Sequence, residues 1–169
     1  ERVENAKQRL REGLSNWSRE EIERHIERGH NDYWLTVDSE TQLKHARLIS
    51  VAEKKQSETH VETHVETERA VTKIVIYTQD HPGLFAAIAG AMALTGASIV
   101  DAKILTLANG MALDTFWVQN TEGAAFASRE RLKKLRTRIE KSIEGRLRPA
   151  QELIRAQKDM PPRRTRVFR

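Results

Sequence analysis

The sequence predicts an α+β fold: a small sheet carrying helices on one face, preceded by a short helical segment. Three observations predict it. β-branched and apolar stretches occur at 71–78, 99–107 and 111–119, the lengths of single strands. Between and after them, apolar residues recur at helical spacing, Leu84, Phe85, Ile88, Ala89 and Met92 first, then Leu132, Leu135, Ile139 and Ile143. Asn109-Gly110 supplies a hairpin signal between the second and third of these strands. The 169 residues suffice for one compact domain plus an appendage, or for two very small domains.

Residues 1–56 read as helices. Ser18 and Glu21 form an S-x-x-E capping box ahead of Ile22 and Ile26, and Gly29 closes that helix. Tyr33, Trp34 and Leu35 follow in a short link whose aromatic bulk suits docking on another layer. Asp38 or Ser39 caps a third helix with an apolar stripe of Leu43, Ala46, Leu48, Ile49 and Ala52. The segment has too few large apolar residues for a core of its own and needs a neighbour.

Residues 57–68 repeat Glu-Thr-His-Val, which allows an exposed edge strand or a polar linker. His60 and His64 stand four apart; in a strand they share a face about 13 Å apart, too far for one metal ion, so a solvated repeat is expected. Val71 to Thr78 is a strand with both faces partly covered. Asp80-His81-Pro82-Gly83 breaks it, and Pro82 suits the first turn of the following helix, where its missing N–H costs nothing. That helix ends at Gly96. Ser128 caps the next, and Pro149 opens one more short helix. After Pro161-Pro162, Thr165 to Phe168 has strand character but is cut short at Arg169.

The order strand, helix, strand, strand, helix and a truncated strand is the ferredoxin-like βαββαβ plan. Neither face of the strand at 111–119 is polar. The face away from the two helices must therefore be covered by a second copy, a sister domain or the N-terminal helices. Gly83 leaves the first amides of its helix open to an anion, which the helix dipole favours, and Asp80 beside it accepts from an ammonium group. Ser98 opens the second strand near the same edge. A carboxylate beside a donor cluster matches a free amino acid; a helix cap with a close-packing glycine is the plainer reading of the same residues.

Composition narrows the function classes. The net charge is +5, but residues 129–169 carry 15 Lys or Arg against 5 Asp or Glu, leaving a net −5 on residues 1–128. Aromatic residues are 5% and stand apart from the basic run before Phe168, so a solvated helix face is expected rather than nucleic-acid binding. No run of about 18 apolar residues offers a membrane span, and no membrane partner is expected. The absence of cysteine excludes disulfides and thiolate chemistry, and a cytoplasmic location is expected. A start at Glu1 without a signal sequence leads us to expect a portion of a longer chain.

Tyr77-Thr-Gln-Asp-His-Pro-Gly-Leu-Phe, Gly96-Ala-Ser-Ile-Val-Asp-Ala and Gly110-Met-Ala-Leu-Asp-Thr-Phe-Trp-Val-Gln resemble the ACT-domain family of small regulatory modules. The match is closer still to the first of two C-terminal ACT domains in the bifunctional uridylyltransferase/uridylyl-removing enzyme family, which modifies the PII protein in bacterial nitrogen control. Tyr33-Trp-Leu and Glu40-Thr-Gln-Leu-Lys-His-Ala-Arg resemble the stretch joining that family's HD hydrolase domain to its ACT pair. The resemblance implies a helical linking segment over 1–56 and an ACT domain over 57–169 with its last strand truncated. It implies glutamine as effector and Asp80, His81, Gly83, Leu84, Ser98 and Ile99 as ligand-binding residues. Asp80 would hold the ammonium group, the Gly83 and Leu84 amides the carboxylate, and Ser98 part of the side chain.

It further implies a second ACT domain or a homodimer partner, and PII as the target of the parent enzyme. The parent's nucleotidyltransferase and HD centres need metal, magnesium in the family. This chain has no Asp-x-Asp and no His-Asp pair, so no catalytic residue, metal site or cofactor is expected in it. A dimerisation module with no ligand of its own is the alternative. An enzyme built on His81, Asp80 and Ser98 would lack any oxyanion or metal design.

Overall fold

A computed structural model describes the backbone of residues 1–157 and the side chains of residues 1–145. Four helices come first: α1 (Arg2–Gly13), α2 (Arg19–Glu27), α3 (Asn31–Thr36) and α4 (Ser39–Lys54). Ser18 Oγ accepts from the Glu21 amide at 3.2 Å, as the capping signature requires, and Asp38 caps α4 by accepting from Thr41 N at 3.1 Å. Tyr33 and Trp34, expected in a link, form the short helix α3 and pack edge to face, with ring centroids 5.0 Å apart. Asp38→Ala should lower stability by about 1 kcal/mol, the usual worth of such a cap, measured by urea denaturation. Asp38→Asn should restore most of the loss.

The rest is β1 (Thr59–Glu66), β2 (Val71–Gln79), α5 (Leu84–Leu94), β3 (Ser98–Lys103), β4 (Met111–Gln119) and α6 (Arg129–Gln157). The strands form one antiparallel sheet in the order β1-β2-β4-β3. The chain is thus α+β, but its described strands and helices run ββαββα. In the expected plan the last strand lies beside the first strand of the unit. Here β1 occupies that edge of β2, paired from Thr59↔Thr78 to Glu66↔Val71. The Glu-Thr-His-Val repeat is therefore a strand: a β-branched residue recurs at every second position, and Val61 turns inward, only 3% exposed. The expected strand at 165–168 lies outside the described residues. The edge of β2 it was to fill is already taken by β1, which becomes the edge strand on that side among the described residues.

Two further expectations change. The second strand stops at Lys103 rather than Leu107, after an irregularity between Ile99 and Asp101, and only a single bridge, Thr106↔Ala112, follows. Asn109-Gly110 nevertheless turns the chain: Leu107 N donates to Met111 O at 2.8 Å, and Gly110 has φ 82°. At Pro149, α6 continues to Gln157 instead of giving way to a second helix, because one lost amide donor does not end the ladder.

Alternation along the strands makes two cores. Ile74, Ile76, Ala112, Phe116 and Val118 face α5 and α6, meeting Ile88, Met92, Leu135, Ile139 and Ile143. Val75, Tyr77 and Leu113 face the opposite way and are covered by the N-terminal helices through Leu10, Leu14, Trp34, Ile49 and Ala52. Of the three expected covers for the second face, this chain supplies its own. Ala108 N also donates to Arg28 O at 2.8 Å, and Arg28 pairs with Glu53, tying the 104–110 loop to α2 and α4. No described helix is long and apolar enough to cross a membrane.

Candidate functional site

The site lies where β2 hands the chain to α5. Gly83 is the N-cap of α5 and adopts φ 85°, ψ 2°, a left-handed conformation that a β-carbon disfavours. No side chain caps the helix. The Leu84 amide is engaged in the turn, donating to His81 O at 3.2 Å, and Ala87 N bonds back to Gly83 O at 3.0 Å. The expected donor pair of Gly83 and Leu84 is thus altered. Helix geometry leaves the next amides, Phe85 and Ala86, without intrahelical acceptors, and they point along the positive end of the dipole.

Asp80 is exposed beside this turn. Its amide donates to Gly110 O at 3.2 Å, and its Oδ2 accepts from Thr106 Oγ1 at 3.3 Å. The 104–110 loop therefore fixes where the carboxylate stands. His81 Nδ1 lies 3.0 Å from the Pro82 carbonyl, which can only accept, so Nδ1 is the donor. Nε2 is shielded from water and has no partner among the described residues.

A second carboxylate was not expected. Asp114 sits in β4 opposite Ile76, on the sheet face that carries α5, and is 2% exposed. Its Oδ1 accepts from Leu105 N at 3.2 Å. Burial pushes its pKa up to about 6; the Leu105 N–H opposes the rise and the charge of Asp80 adds to it. Asp80, exposed beside the uncapped helix start, is suited to an ammonium group, and the buried Asp114 feels its charge. The signal was present in the sequence, an acid inside the apolar run Ala112-Leu-Asp-Thr-Phe, but period-two reading assigns it only a face, not a neighbour.

Ser98 and Ile99 are not part of this cluster within one chain. Because β2 and β3 are each antiparallel to β4, they run parallel to each other, so the start of β3 lies at the end of the sheet opposite to the end of β2. Ser98 faces Gln119, whereas Gln79, just before Asp80, faces Met111. Eight residues of β4 separate those levels, about 26 Å at the rise of a strand. The expectation that Ser98 shares an edge with Asp80 fails for this geometric reason. Both residues are exposed, on a strand whose outer side is unpaired among the described residues.

No cluster of three or more metal-ligating side chains occurs among the described residues. Gly83→Val should strain the corner and cost about 1–2 kcal/mol of stability even without any ligand, and Gly83→Asn should cost less because Asn tolerates the left-handed region. Thermal unfolding of the two variants measures the difference.

No family model matches the chain. Curated relatives do: it is 45% identical over 147 residues to the bifunctional uridylyltransferase/uridylyl-removing enzyme of Gluconobacter oxydans, covering 86% of this chain and 16% of the relative. Identity is 42% over 168 residues with the enzyme of that name from Azospirillum brasilense, 99% of this chain and 18% of the relative. With that of Rhodospirillum rubrum it is 41% over 165 residues, again 18% of the relative. The chain thus spans about one-sixth of the length of the relatives it matches.

Proposed function

We propose that this chain, homologous to a region making up 16–18% of bifunctional uridylyltransferase/uridylyl-removing enzymes, is an amino-acid-sensing ACT module of such an enzyme. The sheet with two helices on one face is consistent with an ACT-like unit, its edge completed by β1. The observation that carries the sensing reading is the α5 corner: uncapped main-chain donors stand beside Asp80, whose charge also reaches the buried Asp114, opposite charges for the two ends of a zwitterion. The carboxylate of glutamine would meet the first amides of α5 and its ammonium group Asp80. Ser98 and Ile99 would complete the site from a second copy or a second ACT domain. Binding would then favour one pairing of modules and bias the parent between uridylyl transfer to PII and its removal. The parent's magnesium and catalytic groups would reside in its other domains.

Calorimetry with glutamine tests this reading. Saturable heat is expected, weakened at least about tenfold by Asp80→Ala, which removes one charge-assisted bond. No heat in the millimolar range, both in this chain and in a longer chain carrying a second ACT domain, overturns it.

A dimerisation module without a ligand is favoured by a different observation. Val100 and Ile104 on and beside β3 are 55% and 51% exposed, and Phe85 and Leu94 on α5 are 51% and 74% exposed. Under this reading Val100→Asp and Ile104→Asp abolish self-association in sedimentation experiments, and glutamine leaves association unchanged.

A further inference from the structure

The layer between α4 and the sheet is not closely packed throughout. A cavity of about 450 Å³ opens there, roofed by α4 and floored by the face of the sheet that bears Trp117. This is within the size range of small-molecule sites. It lies on the face of the sheet opposite to α5, so it is separate from the Asp80 corner.

The floor has a definite chemistry that follows from register. Lys73 lies directly across from Trp117, and Lys103 directly across from Thr115, which is two residues from Trp117 on the same strand. Lys73 thus stands beside the indole on β2, while on β3 the residue across from Trp117 is Asp101, with Lys103 two positions further along. Arg47 adds a third cation from the roof, beside the apolar Leu48 and Val51. Among the described residues none of these three cations forms an ion pair. Three acids on this side of the sheet have other partners: Asp38 accepts from Thr41 N and Oγ1 at 3.1 and 2.6 Å, Glu62 lies 3.2 Å from His60 Nε2, and Asp101 Oδ1 accepts from Ala102 N at 2.8 Å.

The field of these lysines reaches into the layer. His45, in the roof, is pushed down to about 4, first by burial and next by the charge of Lys73, with Lys103 adding to it and Asp38 opposing. The Trp117 indole N–H is shielded from water and has no acceptor among the described residues, an unsatisfied donor in the cavity wall. Unpaired cations, an aromatic face and an orphan donor are what a flat anion would satisfy together.

We propose that the cavity between α4 and the sheet binds a nucleotide-class anion, its ring against Trp117 and its phosphate between Lys73 and Lys103. Such a ligand would bridge the helical segment and the sheet, so its occupancy would stabilise their junction.

Titration of the intact chain with uridine and adenosine 5′-monophosphates, followed by tryptophan fluorescence and calorimetry, tests this. Saturable binding with Kd at or below about 1 mM is expected for at least one of them. The matching nucleoside should bind at least about tenfold more weakly, and the Lys73→Gln/Lys103→Gln double variant should lose a similar factor with its far-UV circular dichroism unchanged. Trp117→Phe should keep calorimetric binding within about threefold, because a ring remains, while the fluorescence change disappears. Absence of saturation with both nucleotides, or equal binding by the double variant, overturns the proposal. So does equal binding of nucleoside and nucleotide. If the double variant does not fold, Val51→Trp fills the cavity from the roof, and undiminished binding by that variant overturns it too.

Discussion

Acidification from pH 7 to pH 4 should destabilise the N-terminal layer by roughly 3–4 kcal/mol, and two buried histidines are the reason. His25 and His45 are each 4% exposed. Burial pushes His25 down to about 4, with the charge of Arg28 and then His45 contributing; His45 is lowered to a similar value. Arg28 can only donate to His25 Nδ1, at 3.3 Å, and Tyr33 Oη lies 2.9 Å from His45 Nδ1. Burial holds the Tyr33 hydroxyl well above its usual range, so it stays protonated and serves as the donor to neutral His45. Protonating either Nδ1 sets donor against donor.

The unfolded chain binds these protons near pH 6.5 and the folded chain only near pH 4, so stability falls as pH drops through that window, by about 3 kcal/mol per histidine. Asp114 acts with the opposite sign. Its raised pKa means that the folded state takes up a proton near pH 6, before the unfolded state does, which returns about 3 kcal/mol as pH falls toward 4. The histidines prevail because there are two. Urea denaturation at pH 7.0, 5.5 and 4.0 measures the slope. Replacing His45 by Gln should flatten it, and Asp114→Asn should steepen it; a flat profile for the unaltered chain would refute the assignment.

Phe116→Ala should cost about 3–5 kcal/mol, a large share of the stability of a domain this size. Phe116 is fully buried in β4 opposite Ile74, and Phe85 of α5 lies against it with ring centroids 6.0 Å apart. Truncation leaves a cavity directly beneath the first turn of α5, the element that presents the free amides. Chemical denaturation should therefore register the full loss. If the corner binds glutamine, affinity should fall in Phe116→Ala even at temperatures where the sheet is intact by circular dichroism. Phe116→Leu, which keeps much of the volume, should recover more than half of both effects. A loss under 1 kcal/mol for Phe116→Ala would mean that α5 is not seated on this ring.

The α5 corner was legible residue by residue where the signal is local. A glycine opening the turn into α5, the Asp80 that precedes it, the Ser18 cap and a cap at Asp38 or Ser39 follow from short-range rules about which backbone groups lack partners. Asp114 and the cationic floor around Trp117 were not legible. They depend on which residue stands across from which on a neighbouring strand, and register has no local signature until one strand's partner is known. The misplacement of Ser98 has the same origin: strand direction follows from the crossover through α5, not from distance along the chain.

Composition and periodicity alone determined that this chain is α+β, where most of its helices and strands run, and that the strand at 111–119 must be buried on both faces. Only the tertiary structure decided what does the burying. The helices of residues 1–54 cover one face and β1 takes the edge beside β2, because a sheet with two apolar faces and an open edge is satisfied by whichever apolar surface and unpaired strand the same chain brings nearest. Hydrophobic burial is non-directional, so a sequence pattern states the demand for a partner without stating which partner meets it.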